Sequence, residues 1–283
     1  MKHWYPRIAH AVIHVQTNIS ACIPMIDAML KLYPMADAQA SIAAHLYLKH
    51  DGDKNIFLAN DHIIWEGYDA EETAAGFEVH FYQYMLANIE PKLISIHAAC
   101  VSIGTSSVML AGISGAGKSS SCTAALLAGA SYLSDEFALL DKEGHMHPFP
   151  RPFQWGKQRH PAFLHRQLLQ AGFEKFGFRF NDFQQKRQYN LFWFPPHIAN
   201  QPTPLKAIVF PQYSSAVEGV EITPVLRSQA LMELNNHLHH RYPPAKCIQE
   251  LNQRVPQDIP FLYVQFSDVQ QAWKTISQYL QLP

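Results

Sequence analysis

The sequence lacks several features that would place it in a specialised class of protein. Its 22 Lys and Arg residues balance 23 Asp and Glu residues, for a net charge of −1, so nothing favours general binding to nucleic acid or to an anionic membrane. Its 4 cysteines are scattered singly, without a CxxC pair, which favours a reducing compartment. No run reaches the roughly 18 uncharged apolar residues of a membrane helix, and the N-terminus has no signal-type apolar region. We therefore predict a cytoplasmic protein.

The composition does supply enough apolar material for a large core. The chain has 283 residues, 48% of them hydrophobic, and could form one large domain or two modest ones. Residues 56–59 and 63–65 face each other across Asn60 and Asp61, which predicts a β-hairpin. Asp69 then begins a helical pattern. We predict a small N-terminal α+β domain of unassigned role over residues 1–90 and a second domain over residues 91–283.

A glycine-rich stretch dominates the predicted second domain. Residues 112–119 read GISGAGKS, a full match to the Walker A pattern GxxxxGK[ST], in which backbone N–H groups surround phosphates, the lysine reaches the β- and γ-phosphates and the hydroxyl binds Mg²⁺. An apolar strand is predicted before it, over residues 108–111, and a helix after it, over residues 119–127. The predicted nucleotide-binding residues are Gly112, Ser114, Gly115, Ala116, Gly117, Lys118, Ser119 and Ser120.

Two further patterns lie on either side of this stretch. Asp135 and Glu136 follow an apolar segment after the predicted helix, as phosphoryl transfer requires: one carboxylate can hold Mg²⁺, directly or through water, while the other accepts a proton. His97 lies within a predicted strand over residues 94–101. If that strand pairs with the next one around Gly104 and Thr105, His97 comes within reach of the phosphate site. The predicted catalytic residues are His97, Lys118, Asp135 and Glu136, and the predicted metal ligands are Ser119, Asp135 and Glu136.

The order SIHAACV, GISGAGKS, YLSDE and PRP, from about residue 93 to residue 151, resembles the catalytic domain of HPr kinase/phosphorylase and its kinase-like relatives. The resemblance implies an α/β fold with a mixed-sheet P-loop kinase core of HPr kinase/carboxykinase type. It also implies ATP and Mg²⁺ as cofactors and His97 as the phosphate-site histidine. The family's proton acceptor falls on the acidic pair, and either Asp135 or Glu136 could fill that role.

Two departures from the family pattern narrow the prediction. The glycine-rich signature that true HPr kinase/phosphorylases carry downstream of the acidic pair is missing, so HPr itself is not the expected substrate. The family's phosphate-contacting arginine has no clear counterpart, and Arg151, Arg159 and Arg187 are the candidates. We predict a transferase, a kinase that phosphorylates a hydroxyl, foremost of serine, on a peptide, protein or small molecule. A nucleotide-dependent switch or a regulatory nucleotide-binding module without kinase activity is the alternative.

The remaining predictions concern the acceptor and the assembly. Residues 171–190 interleave phenylalanines with cations such as Arg179 and Arg187, which fits either an ordinary strand or a lid that binds an acceptor's carboxylate. His237, His239 and His240 are close in sequence but lack a regular metal-ligand spacing. The predicted partner is a peptide or small-molecule hydroxyl acceptor, without nucleic acid or membrane, and a homo-oligomer is left open.

Overall fold

The protein, described by a computed structural model over residues 1–89, 93–154, 162–181, 187–239 and 243–283, has a mixed α/β fold with mixed sheets. Its strands are β1 Lys2–Trp4, β2 Arg7–Ile8, β3 Ala11–Thr17, β4 Ile42–Asp51, β5 Lys54–Ala59, β6 His62–Gly67, β7 Ile94–Ile96, β8 Ala98–Ile103, β9 Ser106–Ala111, β10 Ser131–Ser134, β11 Ala138–Leu140, β12 His145–His147, β13 Phe153–Gln154, β14 Glu174–Asn181, β15 Arg187–Phe194, β16 Thr203–Tyr213, β17 Val220–Pro224 and β18 Phe261–Phe266. Its α-helices are α1 Ile23–Leu30, α2 Ala70–Ile89, α3 Lys118–Leu127, α4 Ala162–Gln170, α5 Arg227–Asn235, α6 Pro244–Arg254 and α7 Val269–Tyr279. None of the helices in these ranges is long and apolar enough to cross a membrane.

The chain forms two compact units, and the second part of the predicted domain division differs from the observed one. The first unit contains Met1–Glu90 together with Pro152–Pro196, and the second contains Pro91–Arg151 and His197–Pro283. The predicted boundary after residue 90 coincides with a boundary of the units. The segment from Pro152 to Pro196, which we had assigned to the second domain, packs with the first unit instead, because β13, β14 and β15 form a sheet that contacts α2.

The first unit combines a six-stranded sheet, a three-stranded sheet and helices. The predicted hairpin is confirmed as β5 and β6, joined by Asn60 and Asp61 with φ values of 45° and 67°. The predicted helix is confirmed as α2, where the Glu72 N–H donates to Asp69 Oδ1 at 2.7 Å. Residues 174–181 and 187–194 form the antiparallel pair β14–β15, so the strand interpretation of this segment holds. The side chains of Arg179 and Arg187 lie outside the described residues.

Trp65 packs against backbone that only glycine can provide. Its indole ring lies over Gly76 in α2, where an added Cβ would come within 2.5 Å of Trp65 Cε2, and over Gly67 at the end of β6. Glycine in a helix interior is ordinarily unfavourable by about 1 kcal/mol relative to alanine. The glycine at position 76 therefore lowers the helix propensity of α2 but leaves the space that the indole ring occupies.

Gly76→Ala is expected to destabilise the protein, because overpacking against the indole costs roughly 1–3 kcal/mol and exceeds the helix-propensity gain. Urea denaturation should show a lower midpoint. In a Trp65→Ala background, which removes the obstructing ring, the same substitution should become neutral or stabilising. A Gly76→Ala protein that is more stable than wild type would contradict this account of the packing.

The second unit is built on a nine-stranded sheet. The directions of its central strands determine which strand ends lie at the same edge. β9 lies between β8, to which it is antiparallel, and β16, to which it is parallel. β10 is antiparallel to β8, and β18 is parallel to β16. β9, β10, β16 and β18 therefore all run in one direction and end at the same edge of the sheet, where β8 begins.

The prediction of one continuous strand over residues 94–101 is wrong at its middle. It is broken at His97 into β7, which pairs with β11, and β8, which pairs with β9 and β10. The break lets two neighbouring segments join different parts of the sheet. His97 consequently lies at the point where β8 begins, next to Ala98, whose partner Ala111 is the last residue of β9.

Candidate functional site

Three segments with reactive side chains meet at one edge of the second unit's sheet. Residues 112–117, here called the glycine loop, follow β9 and lead into α3. Asp135 and Glu136 follow the last residue of β10, and His97 precedes the first residue of β8. Because β8 runs opposite to its two neighbours, its start lies beside their ends. The predicted site residues are thus brought together although they come from separate segments.

The glycine loop adopts a backbone that its glycines make accessible. Gly112, Gly115 and Gly117 have φ values of 148°, 86° and 106°, a region that side-chain-bearing residues rarely occupy. The strand, the loop and α3 occur in the predicted order, and the predicted helix over residues 119–127 is confirmed with one additional residue at its start. The loop ends at the amino terminus of α3, where helical N–H groups lack intrahelical acceptors and favour an anion.

Lys118 is folded back onto the loop that precedes it. Its Nζ donates to the carbonyl oxygens of Gly112 at 2.7 Å and Ile113 at 3.2 Å, and the residue is buried. Burial lowers the pKa of the Lys118 ammonium, while the negative charges of Asp135 and Glu136 act in the opposite direction. The ammonium therefore lies in the field of the acidic pair and is held by carbonyl groups that another acceptor could replace.

Asp135 is the member of the acidic pair that interacts with the start of α3. Burial raises the pKa of its carboxyl to about 7, against the opposing effect of a hydrogen bond with the Ser119 side chain. Its Oδ1 is inaccessible to solvent and has no hydrogen-bond partner among the residues that the structure describes. A buried carboxylate oxygen without a partner is costly. Asp135 and Ser119 are therefore oxygen ligands suited to Mg²⁺, which uses one or two protein oxygens and completes its shell with water and phosphate.

The raised pKa of Asp135 leads to a pH-dependent prediction. Below about pH 7 the folded protein keeps this carboxyl protonated, whereas Mg²⁺ requires the carboxylate, so Mg-nucleotide binding should release a proton at about pH 6 and almost none at about pH 8.5. Calorimetric titration of Mg-ATP in buffers of different ionisation enthalpy measures this release. Asp135→Asn should abolish it, and Glu143→Gln, on the exposed turn after β11, should not. Equal proton release at both pH values, or no release at about pH 6, would contradict the assignment.

Glu136 is held as a charged carboxylate by a different partner. Its Oε1 lies 3.1 Å from His97 Nδ1, with both side chains about one-third exposed. Burial alone would raise the pKa of Glu136, but the hydrogen bond and charge of His97, aided by Arg151 and Lys118, lower it below its ordinary value. The Ser134 hydroxyl accepts from the N–H of Phe137 at 3.0 Å, which fixes the turn that carries both acids. The two adjacent carboxyls therefore occupy distinct environments.

Arg151 is the arginine that the structure brings to the acidic pair. Its guanidinium carbon is 5.8 Å from the centre of the Phe137 ring, and its positive charge lowers the pKa of both Asp135 and Glu136. Its carbonyl accepts from the Tyr132 hydroxyl at 2.7 Å. Arg159 lies outside the described residues, and Arg187 belongs to the first unit. Of the three predicted arginines, Arg151 is the one whose side chain the structure describes, and its charge acts on both carboxyls.

The histidines after α5 support His97. The His97 N–H donates to the His237 carbonyl at 2.6 Å, and the His239 ring lies 6.0 Å from the His97 ring. His237 is buried, and its Nε2 is 3.2 Å from Glu233 Oε1. In the described part of the chain, no three His, Cys, Asp or Glu residues form a metal cluster. His240 lies outside the described residues.

Comparison with known proteins does not assign this site. No protein-family model matches the chain, and a search of curated proteins gave no match. Sequence reasoning missed that the His239 ring lies 6.0 Å from the His97 ring and 5.1 Å from the Phe137 ring. It also missed Tyr213, whose N–H donates to the loop carbonyl of Ala116 at 3.0 Å. The signal available for Tyr213 was an aromatic residue shortly after the apolar run over residues 207–210.

Proposed function

We propose that the protein is an ATP- and Mg²⁺-dependent kinase that transfers a γ-phosphoryl group to a hydroxyl, foremost of serine, on a peptide, protein or small molecule. The observation that carries the proposal is the meeting of four groups at one sheet edge: the glycine loop, Lys118, the Ser119–Asp135 pair and the His97–Glu136 pair. Phosphoryl transfer depends chiefly on positioning and on stabilising negative charge. These groups would supply both.

The glycine loop and the start of α3 would hold the nucleotide phosphates. Their N–H groups are the donors of a helix amino terminus, and the loop glycines permit close backbone approach. Lys118 Nζ would exchange the carbonyls of Gly112 and Ile113 for phosphate oxygens. A negatively charged acceptor replaces neutral ones in this exchange, so it would strengthen the lysine's hydrogen bonds.

Ser119 and Asp135 would hold Mg²⁺ through the serine hydroxyl and Asp135 Oδ1, the buried oxygen that has no hydrogen-bond partner in the described part of the chain. A bound Mg²⁺ neutralises charge on the β- and γ-phosphates. Arg151, whose charge acts on both carboxylates, would provide further positive charge at the transferred group. With the carboxylate of Asp135 committed to the metal, the second acid is left for the proton.

Glu136 would be the proton acceptor. The acceptor hydroxyl oxygen forms a bond to the γ-phosphorus, the bond from that phosphorus to the bridging β–γ oxygen breaks, and the hydroxyl proton passes to Glu136. A loose transition state needs little base strength, so the lowered pKa of Glu136 is compatible with this role. His97 would orient the carboxylate through its hydrogen bond at Oε1.

The arrangement of these motifs also supports a place among the kinase-like relatives of HPr kinase/phosphorylase, with an acceptor other than HPr. The proposal is tested by incubating the protein with γ-labelled ATP, Mg²⁺ and a panel of free serine and serine-ending peptides, each peptide as free acid and as amide. Label should appear on the serine hydroxyl of at least one acceptor. Preference for the free acid would favour carboxylate recognition. Tight Mg-ATP binding without transfer to any acceptor would favour the nucleotide-dependent switch.

A further inference from the structure

The parallel strands β16 and β18, which lie on the side of β9 away from β8, each end in an aromatic residue. Tyr213 is the last residue of β16, and Phe266 is the last residue of β18. They are register partners, with ring centres 6.1 Å apart and ring planes at 66°. Phe266 is almost fully buried, whereas Tyr213 is 57% exposed. The pair therefore presents one open aromatic side chain supported by a buried one.

This aromatic pair contacts the loop directly. The Tyr213 N–H donates to the Ala116 carbonyl at 3.0 Å. A Cβ added at Gly117 would come within 3.0 Å of Phe266 Cζ and within 3.7 Å of Tyr213 Cβ. Gly117 is the residue before Lys118, at the N-cap of α3. The exposed tyrosine is thus anchored beside the part of the loop from which the lysine and the helix begin.

The order of the strands places the acidic pair and the aromatic pair on opposite sides of the glycine loop. The acidic pair follows β10 and His97 precedes β8, so both lie on the β8 side of the loop. Tyr213 and Phe266 end strands on the β16 side. A nucleoside triphosphate bound with its γ-phosphate near Asp135 and Glu136 would extend away from them along the loop. Its nucleoside therefore leaves on the β16 side.

We infer that the exposed ring of Tyr213 is the stacking platform for the base of the bound nucleotide, with Phe266 as its buried support. The inference rests on the proposed nucleotide function and adds the base subsite to it. The residues that follow Tyr213 are Ser214, Ser215 and Ala216, which have small side chains, and Tyr213 itself is 57% exposed. Stacking uses the π-face that every base possesses, so ATP and GTP should bind with affinities within a few-fold of each other.

The test compares a base-containing ligand with one that has phosphates alone. Calorimetry measures Mg-ATP and inorganic triphosphate binding to wild type, Tyr213→Ala and Tyr213→Phe. Loss of the ring should weaken Mg-ATP binding roughly tenfold to a hundredfold, while triphosphate binding stays unchanged and Tyr213→Phe remains within about twofold of wild type. Tyr279→Ala removes a tyrosine of similar exposure, 50%, from the end of α7 and should change neither affinity.

The outcomes separate this inference from the proposed function. Unchanged Mg-ATP affinity in Tyr213→Ala would overturn the stacking role and leave the phosphate site intact. Equal weakening of ATP and triphosphate would also overturn it, because Tyr213 would then act by holding the loop. Failure of wild type to bind either ligand would instead count against the proposed function. Should Tyr213→Ala fail to fold, Tyr213→Leu retains apolar volume without the π-face and gives the same comparison.

Discussion

Lys118→Ala is expected to reduce phosphoryl transfer on the order of a thousandfold while the protein remains folded. The lysine is the cation best placed to stabilise charge on the β- and γ-phosphates, and losing one such donor costs at least a hundredfold in turnover. Its Nζ donates to the carbonyls of Gly112 and Ile113 in the loop. Single-turnover assays with labelled ATP measure the effect.

The control for charge is Lys142→Ala, which removes an exposed lysine from the turn after β11. This variant should match wild type in turnover and in thermal midpoint. Circular dichroism of Lys118→Ala should show the wild-type spectrum, so that lost activity is not lost structure. Unchanged turnover in Lys118→Ala would refute the site assignment, whatever the identity of the acceptor.

Substitutions of the two acids, Asp135 and Glu136, should give two different phenotypes. Asp135→Asn is nearly isosteric but removes the charge that Mg²⁺ requires, so it should weaken Mg-ATP binding strongly and lower transfer with it. Glu136→Gln leaves the Ser119–Asp135 pair intact and removes the proton acceptor, so it should bind Mg-ATP normally and lose roughly a hundredfold to ten-thousandfold in turnover. Nucleotide titrations and single-turnover rates on both variants distinguish binding from chemistry.

The opposite pattern, with weak binding in Glu136→Gln and slow chemistry in Asp135→Asn, would exchange the two roles. Substantial activity in both variants would mean that the carboxylates form a solvated turn without a catalytic role. Glu143→Gln, an exposed acid on the turn after β11, is the matched control and should leave binding and turnover unchanged.

Local sequence was sufficient for the glycine loop and the acidic turn. The apolar residues of β9, the glycines and the residues of α3, which ends in two alanines and two leucines, are contiguous, and each group acts on its own stretch of backbone. The break at His97 was not predictable in this way. Residues 94–101 are apolar except for Ser95 and the histidine, and the break depends on β7 joining β11 while β8 joins β9. Those pairings involve partners distant in sequence.

The division of the chain into two units and the contact of Tyr213 and Phe266 with the glycine loop also depend on partners distant in sequence. Nothing in residues 152–196 themselves identifies β13, β14 and β15 as partners of the first unit, because the information lies in the α2 surface that they contact. Tyr213 and Phe266 reach Gly117 only because β16 and β18 run parallel to β9 and end at the same edge. Sheet order, which one-dimensional patterns do not encode, decides which strand ends become neighbours.

A crystal structure of the protein with Mg²⁺ and a non-hydrolysable ATP analogue would test the central claim most directly. It should show the β- and γ-phosphates within the glycine loop and Lys118 Nζ moved from the Gly112 carbonyl to a phosphate oxygen. Mg²⁺ should be held by Ser119 and Asp135, with Glu136 facing the γ-phosphate. A nucleotide bound elsewhere, or bound in the loop with Asp135 and Glu136 both remote from the γ-phosphate, would contradict the account.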